Sequence, residues 1–348
     1  MTIDGKRILV TGGTGSLGQR VVKRLLQAGE LGRPAKITVL SRDEAKQHDM
    51  RLRFLQKPAA TDDVIYQHAR DLLAFRIGDV RDDATMVEAV RDAEIVIHAA
   101  ALKQVPTCEY FPLEAVRTNV LGADALVRAT MAAGARVETV VGISTDKACK
   151  PINVMGMTKA VMERVLVEAN LRQPSTRFVA VRYGNVVASR GSVVPLFLEQ
   201  IAKGGPVTIT TEDMTRFLLT LDRAVDTVMA ALTGAQPGEI YVPKVPAARM
   251  VDLAEVLVAG RDVPITVTGI RPGEKVHEIM VSDEECPRTV ERDGYYVICP
   301  MLPELRPEAA RGVLTSEYSS SAITLDHDGL RTLLAPYLAS GVPAELQA

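Results

Sequence analysis

Residues 6–10 (KRILV) and the octet after them, Thr11-Gly12-Gly13-Thr14-Gly15-Ser16-Leu17-Gly18, decide how this chain folds. A short apolar run with β-branched members leads straight into a glycine-rich turn. Beyond it Leu17, Val21, Val22, Leu25 and Leu26 recur at helical spacing until Gly29, and residues 37–40 form a second apolar run. The pattern predicts a βαβ unit. Glycines at 12, 15 and 18 let the backbone turn tightly, approach a pyrophosphate and bring the helix against the sheet, while the helix N-terminus favours the anion. The spacing is G-x-x-G-x-x-G rather than G-x-G-x-x-G, and a glycine triad alone is equally compatible with a tight structural turn. Its place between strand and helix marks Gly12, Thr14, Gly15, Ser16, Leu17 and Gly18 as a nucleotide cradle.

The second strand ends at Leu40-Ser41-Arg42. An NAD enzyme would place an acidic group there for the ribose 2′-hydroxyl, whereas Ser41, Arg42 and Lys46 suit a 2′-phosphate. NADP is the expected cofactor and NAD the alternative; Arg42 as a solvated loop cation is the plainer reading of the same residue.

Further along, residues 75–77, 95–97, 138–143 and 178–181 read as strands, with helical patterns at 114–133 and 156–170 between them. This α/β succession, with mostly apolar strands, implies a doubly wound parallel sheet of Rossmann type. Ligands to such sheets gather beyond the carboxyl ends of the strands. That rule brings Asp79 and Val80, Ala99, Ala100, Ala101 and Lys103, residues 144–147 and residues 183–185 around one crevice. Residues 1–185 are expected to form the cofactor domain, interrupted by an excursion at 45–72, a stretch that is turn-like at residues 57–63. Residues 186–348 are expected to form mainly a smaller substrate lobe, with some segments returning to the first domain.

Composition excludes several classes. The chain has 348 residues, 47% of them hydrophobic, a formal net charge of −2 and no tryptophan. It is long enough for a sizeable core and too weakly charged to make nucleic acid or a membrane surface its main partner. No apolar run approaches a membrane span, and the polar start MTIDGKR does not read as a secretory signal, so the expectation is a cytoplasmic protein without membrane insertion. Cys108, Cys149, Cys286 and Cys299 have neither C-x-x-C spacing nor a histidine cluster beside them, which predicts no metal site and no disulfide. Cys149 reads as a small packed residue and His98 as a packed histidine or cofactor-side spacer, each in preference to a reactive role.

Several motifs in order carry a resemblance: residues 11–18 (TGGTGSLG), 41–44 (SRDE), 78–82 (GDVRD), 98–109 (HAAALKQVPTCE), 144–159 (STDKACKPINVMGMTK), 182–194 (RYGNVVASRGSVV) and 271–278 (RPGEKVHE). Together they resemble the UDP-N-acetylglucosamine 4,6-dehydratase group of bacterial polysaccharide biosynthesis, within the extended short-chain dehydrogenase/reductase family. The resemblance covers most of the chain except roughly residues 45–72 and the tail after about residue 300. It implies a cycle in which a hydride leaves carbon 4 of the sugar for the nicotinamide, the carbon 5 proton is removed, water leaves from carbon 6, and the hydride returns there. Adjacent Asp146 and Lys147 supply an acid and a base for such chemistry. By resemblance Lys147 exchanges the carbon 5 proton, Asp146 protonates the departing hydroxyl, Thr145 hydrogen-bonds the 4-oxygen, and Lys159 holds the nicotinamide ribose. Asn119 is carried over as a cofactor contact. The bland reading of Thr145-Asp146-Lys147 is a capped polar turn.

Met155 stands four residues before Lys159, where many short-chain dehydrogenases carry a catalytic tyrosine. A thioether is only a weak acceptor, so proton transfer has to pass to other side chains. The resemblance then implies that Lys147 returns the carbon 5 proton to the face it came from, with retention; a packed Met155 in a silenced enzyme is the alternative. Asn185, Val194, Arg216, Arg271, Glu274, Lys275 and Lys103 are carried over as contacts to the nucleotide sugar, the cations because guanidinium and ammonium groups match phosphate oxygens. Residues 215–220 (TRFLLT) depart from the family's more aromatic pattern. The implied activity is NADP-dependent dehydration of UDP-N-acetylglucosamine, with a nucleotide-sugar epimerase or a silent NADP-binding sensor as alternatives, in a homo-oligomer between dimer and hexamer.

Overall fold

The computed structural model describes residues 2–27, 29, 31–54, 72–132, 134–187, 192–306 and 311–339. Strand β1 (Arg7–Thr11) runs through the glycine turn into helix α1 (Ser16–Leu26), and β2 (Lys36–Ser41) returns parallel to β1, with Thr11 opposite Leu40. The expected strands follow as β3 (Leu73–Ile77), β4 (Ile95–His98), β5 (Thr139–Ile143) and β6 (Arg177–Val181). Among the described residues the main sheet has nine strands, in the order β14-β15-β10-β6-β5-β4-β1-β2-β3. Three come from the second half of the chain: β10 (Ile240–Pro243), parallel to β6, and the antiparallel pair β14 (Thr289–Arg292) and β15 (Tyr295–Ile298).

Strand order reverses between β1 and β4, where Thr11 pairs with His98, and a crevice opens beyond such a reversal. Alternation along the strands explains why both faces are covered. Ile8, Val10, Ile95, Ile97 and Val141 pack on one face with Val21, Val22 and Leu25 of α1 and with Val225, Val228 and Leu232 of α9 (Leu221–Gly234). Leu9, Val96, Val140 and Phe178 pack on the other with Met86 of α3 (Asp83–Val90), Leu126 of α6 (Gly122–Thr130), and Met162 and Leu166 of α7 (Val154–Arg172). Each fully buried aliphatic side chain of this kind contributes about 1.5–3 kcal/mol.

The helical pattern at 114–133 is less regular than its spacing predicts. After α4 (Val105–Tyr110) and α5 (Pro112–Ala115), residues Val116–Leu121 form a π-helical turn before α6 begins. The cause is local: Asn119 turns inward to bond a neighbouring loop, and Gly122 packs against Val80, where a side chain would crowd. Of the 45–72 excursion, α2 (Glu44–Phe54) accounts for the beginning; residues 55–71 lie outside the described residues. A second lobe gathers Val194 and Phe197 of α8 (Val193–Ala202), Leu253 and Leu257 of α10 (Met250–Val258), and Leu330 and Leu334 of α11 (His327–Ala339) into its own core. Short sheets complete it, among them β7 (Asn185–Val186), β9 (Thr215–Leu219) and β11 (Ala247–Arg249) in the order β11-β9-β7. No described helix is long and apolar enough to cross a membrane.

Candidate active site

The cradle is built by close approach. Gly12 adopts φ +66°, and a Cβ there would stand 2.7 Å from the amide nitrogen of Ala100. At Gly18 it would meet Gly13 Cα at 2.5 Å, so α1 lies directly on the turn. Helix α1 starts after Gly15 with neither a side-chain cap nor an acidic residue in its first turn, which leaves its leading amides and positive dipole end for an anion. Ser16 and the edge of Leu17 are partly exposed beside them, while the rest of Leu17 packs on the core. These features fit a dinucleotide's pyrophosphate. Gly12→Ala adds about 1–2 kcal/mol of left-handed strain and pushes on the Ala99–Ala100 backbone. We expect NADPH affinity, followed by the cofactor's own fluorescence, to fall about tenfold or more; unchanged affinity would place the pyrophosphate elsewhere.

Ser41 joins the cradle through a 2.8 Å contact between its Oγ and Thr14 Oγ1. Arg42 is half exposed and its Nη1 reaches Asp79 Oδ2 at 3.4 Å; Arg81 holds the same carboxylate at 2.7 and 2.9 Å. Burial pushes the Asp79 carboxyl up, but hydrogen bonds from Arg81 and the Arg42 charge hold it net below its usual value. Lys46 bonds Asp43 at 2.5 Å, one helical turn away, so a 2′-phosphate would have to compete for it. Two of the expected cofactor contacts, Val80 and Asn119, are buried. Val80 is buried in the core against Gly122. Asn119 is fully buried, accepting from the Leu102 amide at 2.8 Å and donating to the Leu102 carbonyl at 2.9 Å and Thr158 Oγ1 at 3.0 Å. It holds the 99–103 loop, where Ala99, Ala100 and Ala101 are partly buried and Lys103 is exposed.

Strand β5 leads into the Thr145-Asp146-Lys147 turn. A one-turn 3-10 helix, Asp146–Ala148, follows Thr145, whose Oγ1 caps the Lys147 amide and donates to Asp146 Oδ1 at 2.8 Å. The Lys147 ammonium lies 3.1 Å from Asp146 Oδ1, 3.3 Å from Asn185 Oδ1 and 3.1 Å from Glu278 Oε1. Burial alone would lower the Lys147 pKa; Asp146 and Glu278 outweigh it and the net shift is upward. Burial pushes the Asp146 carboxyl up, and the Glu278 charge adds to that against the pull of Lys147. Glu278 is pushed up by burial too, but Lys147, Arg216 and Lys275 together bring it net down. Two carboxyl groups converge on one ammonium, and their shifts are opposite: Asp146, with fewer cations around it, is pushed up and Glu278 down. Gly156 lets α7 reach this turn, for a Cβ there would overlap the Lys147 carbonyl oxygen.

Met155 is buried in a small apolar cluster with Cys108 and Ala115, edged by Leu102 and Val105. Lys159, also buried, lies with its Nζ 3.2 Å from Met162 Sδ, and burial, opposed by Glu163, lowers its pKa to about 8. His98 shares a 2.9 Å contact with Thr11 Oγ1, and burial with the Lys159 charge drops its pKa to about 3, so it stays neutral. Cys149 is buried with its thiol pushed up to about 12, which makes it inert as a nucleophile.

On the substrate side several of the expected residues are engaged within the protein. Arg216 is buried and donates to the carbonyls of Thr215, Val276 and Lys275 at 2.8, 3.0 and 2.9 Å, with Glu278 3.9 Å from its Nε. Three backbone carbonyls thus accept from its guanidinium. Val194 lies in the core of the second lobe. Lys275 donates to the Cys149 carbonyl at 2.6 Å, and Glu274 accepts from Thr210 at 3.3 Å. Arg271 is exposed and Asn185 partly buried at the crevice. Glu278 was not among the expected site residues; its only sequence signal is its place at the end of RPGEKVHE. Away from the crevice, Asp252, Glu255 and His327 bring potential metal ligands together, but Arg249 already holds both oxygens of Asp252.

A βαβ cradle, a strand-order reversal and a Thr-Asp-Lys turn with a lysine on the next helix define the extended short-chain dehydrogenase/reductase fold. The chain belongs to the polysaccharide biosynthesis protein family, whose model matches residues 8–300. It is 43% identical over 302 residues to a UDP-glucose 4-epimerase of Rickettsia typhi, covering 86% of this chain and 84% of the relative. Pen from Bacillus thuringiensis has a similar structure, with a TM-score of 0.84, 32% identity, and coverage of 97% of this chain and 100% of that one. DesIV, a dTDP-glucose 4,6-dehydratase from Streptomyces venezuelae solved with NAD and TYD bound, aligns at a TM-score of 0.64 and 22% identity over 78% of this chain and 86% of its own, a likeness of fold.

Proposed function

We propose that this protein is an NADP-dependent nucleotide-sugar 4,6-dehydratase acting on UDP-N-acetylglucosamine, cytoplasmic and homo-oligomeric. The observation that carries the reading is the geometry of Asp146 and Lys147: a buried carboxyl group, pushed up by its burial, 3.1 Å from the Lys147 ammonium beside the cofactor crevice. When bound, the nicotinamide supplies a hydride acceptor for carbon 4 and gives the hydride back at carbon 6. Asp146 takes the proton released from the 4-hydroxyl and delivers it to the 6-hydroxyl, which leaves as water. Lys147, once its ammonium has lost its proton to solvent before the cycle begins, takes the carbon 5 proton and returns it, so atoms balance as loss of one water. Met155, apolar and packed, offers no second proton carrier, so return occurs from the same face. Thr145 orients Asp146, and Lys159 lends charge for the nicotinamide ribose. Asn185, Val194, Arg216, Arg271, Glu274, Lys275 and Lys103 are the proposed contacts to the diphosphate and sugar.

Incubation with UDP-N-acetylglucosamine and catalytic NADP in deuterated water tests this. The expected product has lost water, carries deuterium at carbon 5 and keeps the configuration there. Inversion at carbon 5 would remove the same-face step. The second reading is 4-epimerisation, favoured by the names of the Rickettsia relatives at 43% identity; a product that keeps its 6-hydroxyl and changes only carbon 4 would establish it. NADP binding with no turnover on any nucleotide sugar would leave a sensor protein.

A further inference from the structure

Glu278 is delivered to Lys147 from the far side of the chain. Its own segment is anchored without its carboxylate: Arg216 holds the carbonyls of Lys275 and Val276, His277 Nδ1 meets Thr215 Oγ1 at 2.9 Å, and the Glu278 amide donates to Ser320 Oγ at 2.9 Å. The carboxylate is therefore not what ties the loop down. It is buried, one oxygen lies 3.1 Å from the Lys147 ammonium, and the other, Oε2, has no hydrogen-bond partner among the described residues. Asp146 Oδ2 is left in the same state on the opposite side of that lysine. A buried ion pair that served stability alone would satisfy its oxygens. Two half-satisfied carboxylates flanking one ammonium make a proton-partitioning group instead.

We propose that Glu278 is the positioning residue that sets when Lys147 becomes a base, holding the ammonium between itself and Asp146 until the proton is shed. This rests on the reading of Asp146 and Lys147 as the acid–base pair. The groups facing Lys147 are Asp146 and Thr145 from its own turn, Asn185 from β7, Arg216 from β9, and Lys275 and Glu278 from the segment before β13 (Ile279–Val281). Of these, Glu278 is the carboxylate outside the catalytic turn. Removing its charge makes the lysine neutral at lower pH and a weaker base above it.

The test is Glu278→Gln, which keeps the shape and one acceptor oxygen. Trace labelling with acetic anhydride across a pH series, read by mass spectrometry on the Lys147 peptide of the full chain, measures the pH of half-protonation without turnover. We expect that midpoint to fall by about 1–3 pH units, with exposed Lys203 unchanged as the internal control. The rising limb of the kcat/KM profile should move down by the same amount, whereas a merely structural loss would lower activity at every pH without moving the limb. Glu278→Asp, which retracts the charge by one methylene, should give a smaller shift in the same direction and serves if the glutamine variant does not fold. An unmoved Lys147 midpoint in a folded variant overturns the proposal, even if the protein dehydrates its substrate. A shifted midpoint in a protein that yields no dehydrated product supports Glu278 as the control of Lys147 and overturns the dehydratase reading alone.

Discussion

Replacing Asp146 with Asn is expected to lower turnover by about 10²–10⁴-fold while leaving NADPH affinity unchanged. Asparagine has nearly the same shape and still offers an oxygen to Thr145 and Lys147, so the turn keeps its geometry. What it loses is the transferable proton. Stability should move the other way. A carboxyl whose folded pKa is raised contributes stability below its unfolded value near 3.8, and that contribution is lost as pH rises through the folded value. At neutral pH the aspartate is therefore a burden on the fold, and the amide variant should melt at the same temperature or higher, with its advantage growing as pH rises. Product formation and thermal melts at several pH values check both halves. A loss of less than about tenfold in a folded variant would take Asp146 out of proton transfer.

Legibility in the sequence followed the range of the interactions. The βαβ opening is local: apolar period, glycines and helix spacing lie within residues 6–40, and each element formed where the pattern put it. The Thr145-Asp146-Lys147 turn was readable because a strand end places its own next residues in the crevice. The hydrogen bonds of Arg216 to the carbonyls of the 275–276 backbone were not, since an arginine's type says that it seeks oxygens and not which ones. Glu278 was missed for the same reason, because its partner is set by a segment that folds back across the second lobe. The inward turn of Asn119 and the burial of Met155 likewise depend on packing between helices that no spacing rule reports.

The largest expected change in stability lies behind the site rather than in it. Arg182, at the end of β6, is buried between two carboxylates, bonding Glu163 of α7 at 2.6 and 3.0 Å and Glu285 at 2.8 and 3.0 Å, with a fifth bond to the Met280 carbonyl. Leucine in its place would leave Glu163 and Glu285 in a dry interior without their shared guanidinium, with Arg288 at 3.5 Å still beside Glu285, which costs about 3–5 kcal/mol. In a domain of this size that corresponds to a fall of roughly 6–20 °C in Tm. An exposed pair such as Lys203–Glu199 should be worth less than about 1 kcal/mol. Acid separates the causes. Burial pushes Glu285 up, but Arg182 and its hydrogen bonds bring it net down to about 2, so the stability it contributes is complete above its usual pKa of 4.5 and disappears as pH falls toward 2. In the leucine variant the two acids take up protons readily, and the gap between the two melting curves should close on acidification. A gap of constant size would mean that lost packing, not stranded charge, is the cause. Activity should fall with stability here, because Glu163 also accepts from Ser144 Oγ at 2.5 Å, and Ser144 leads directly into Thr145 and Asp146.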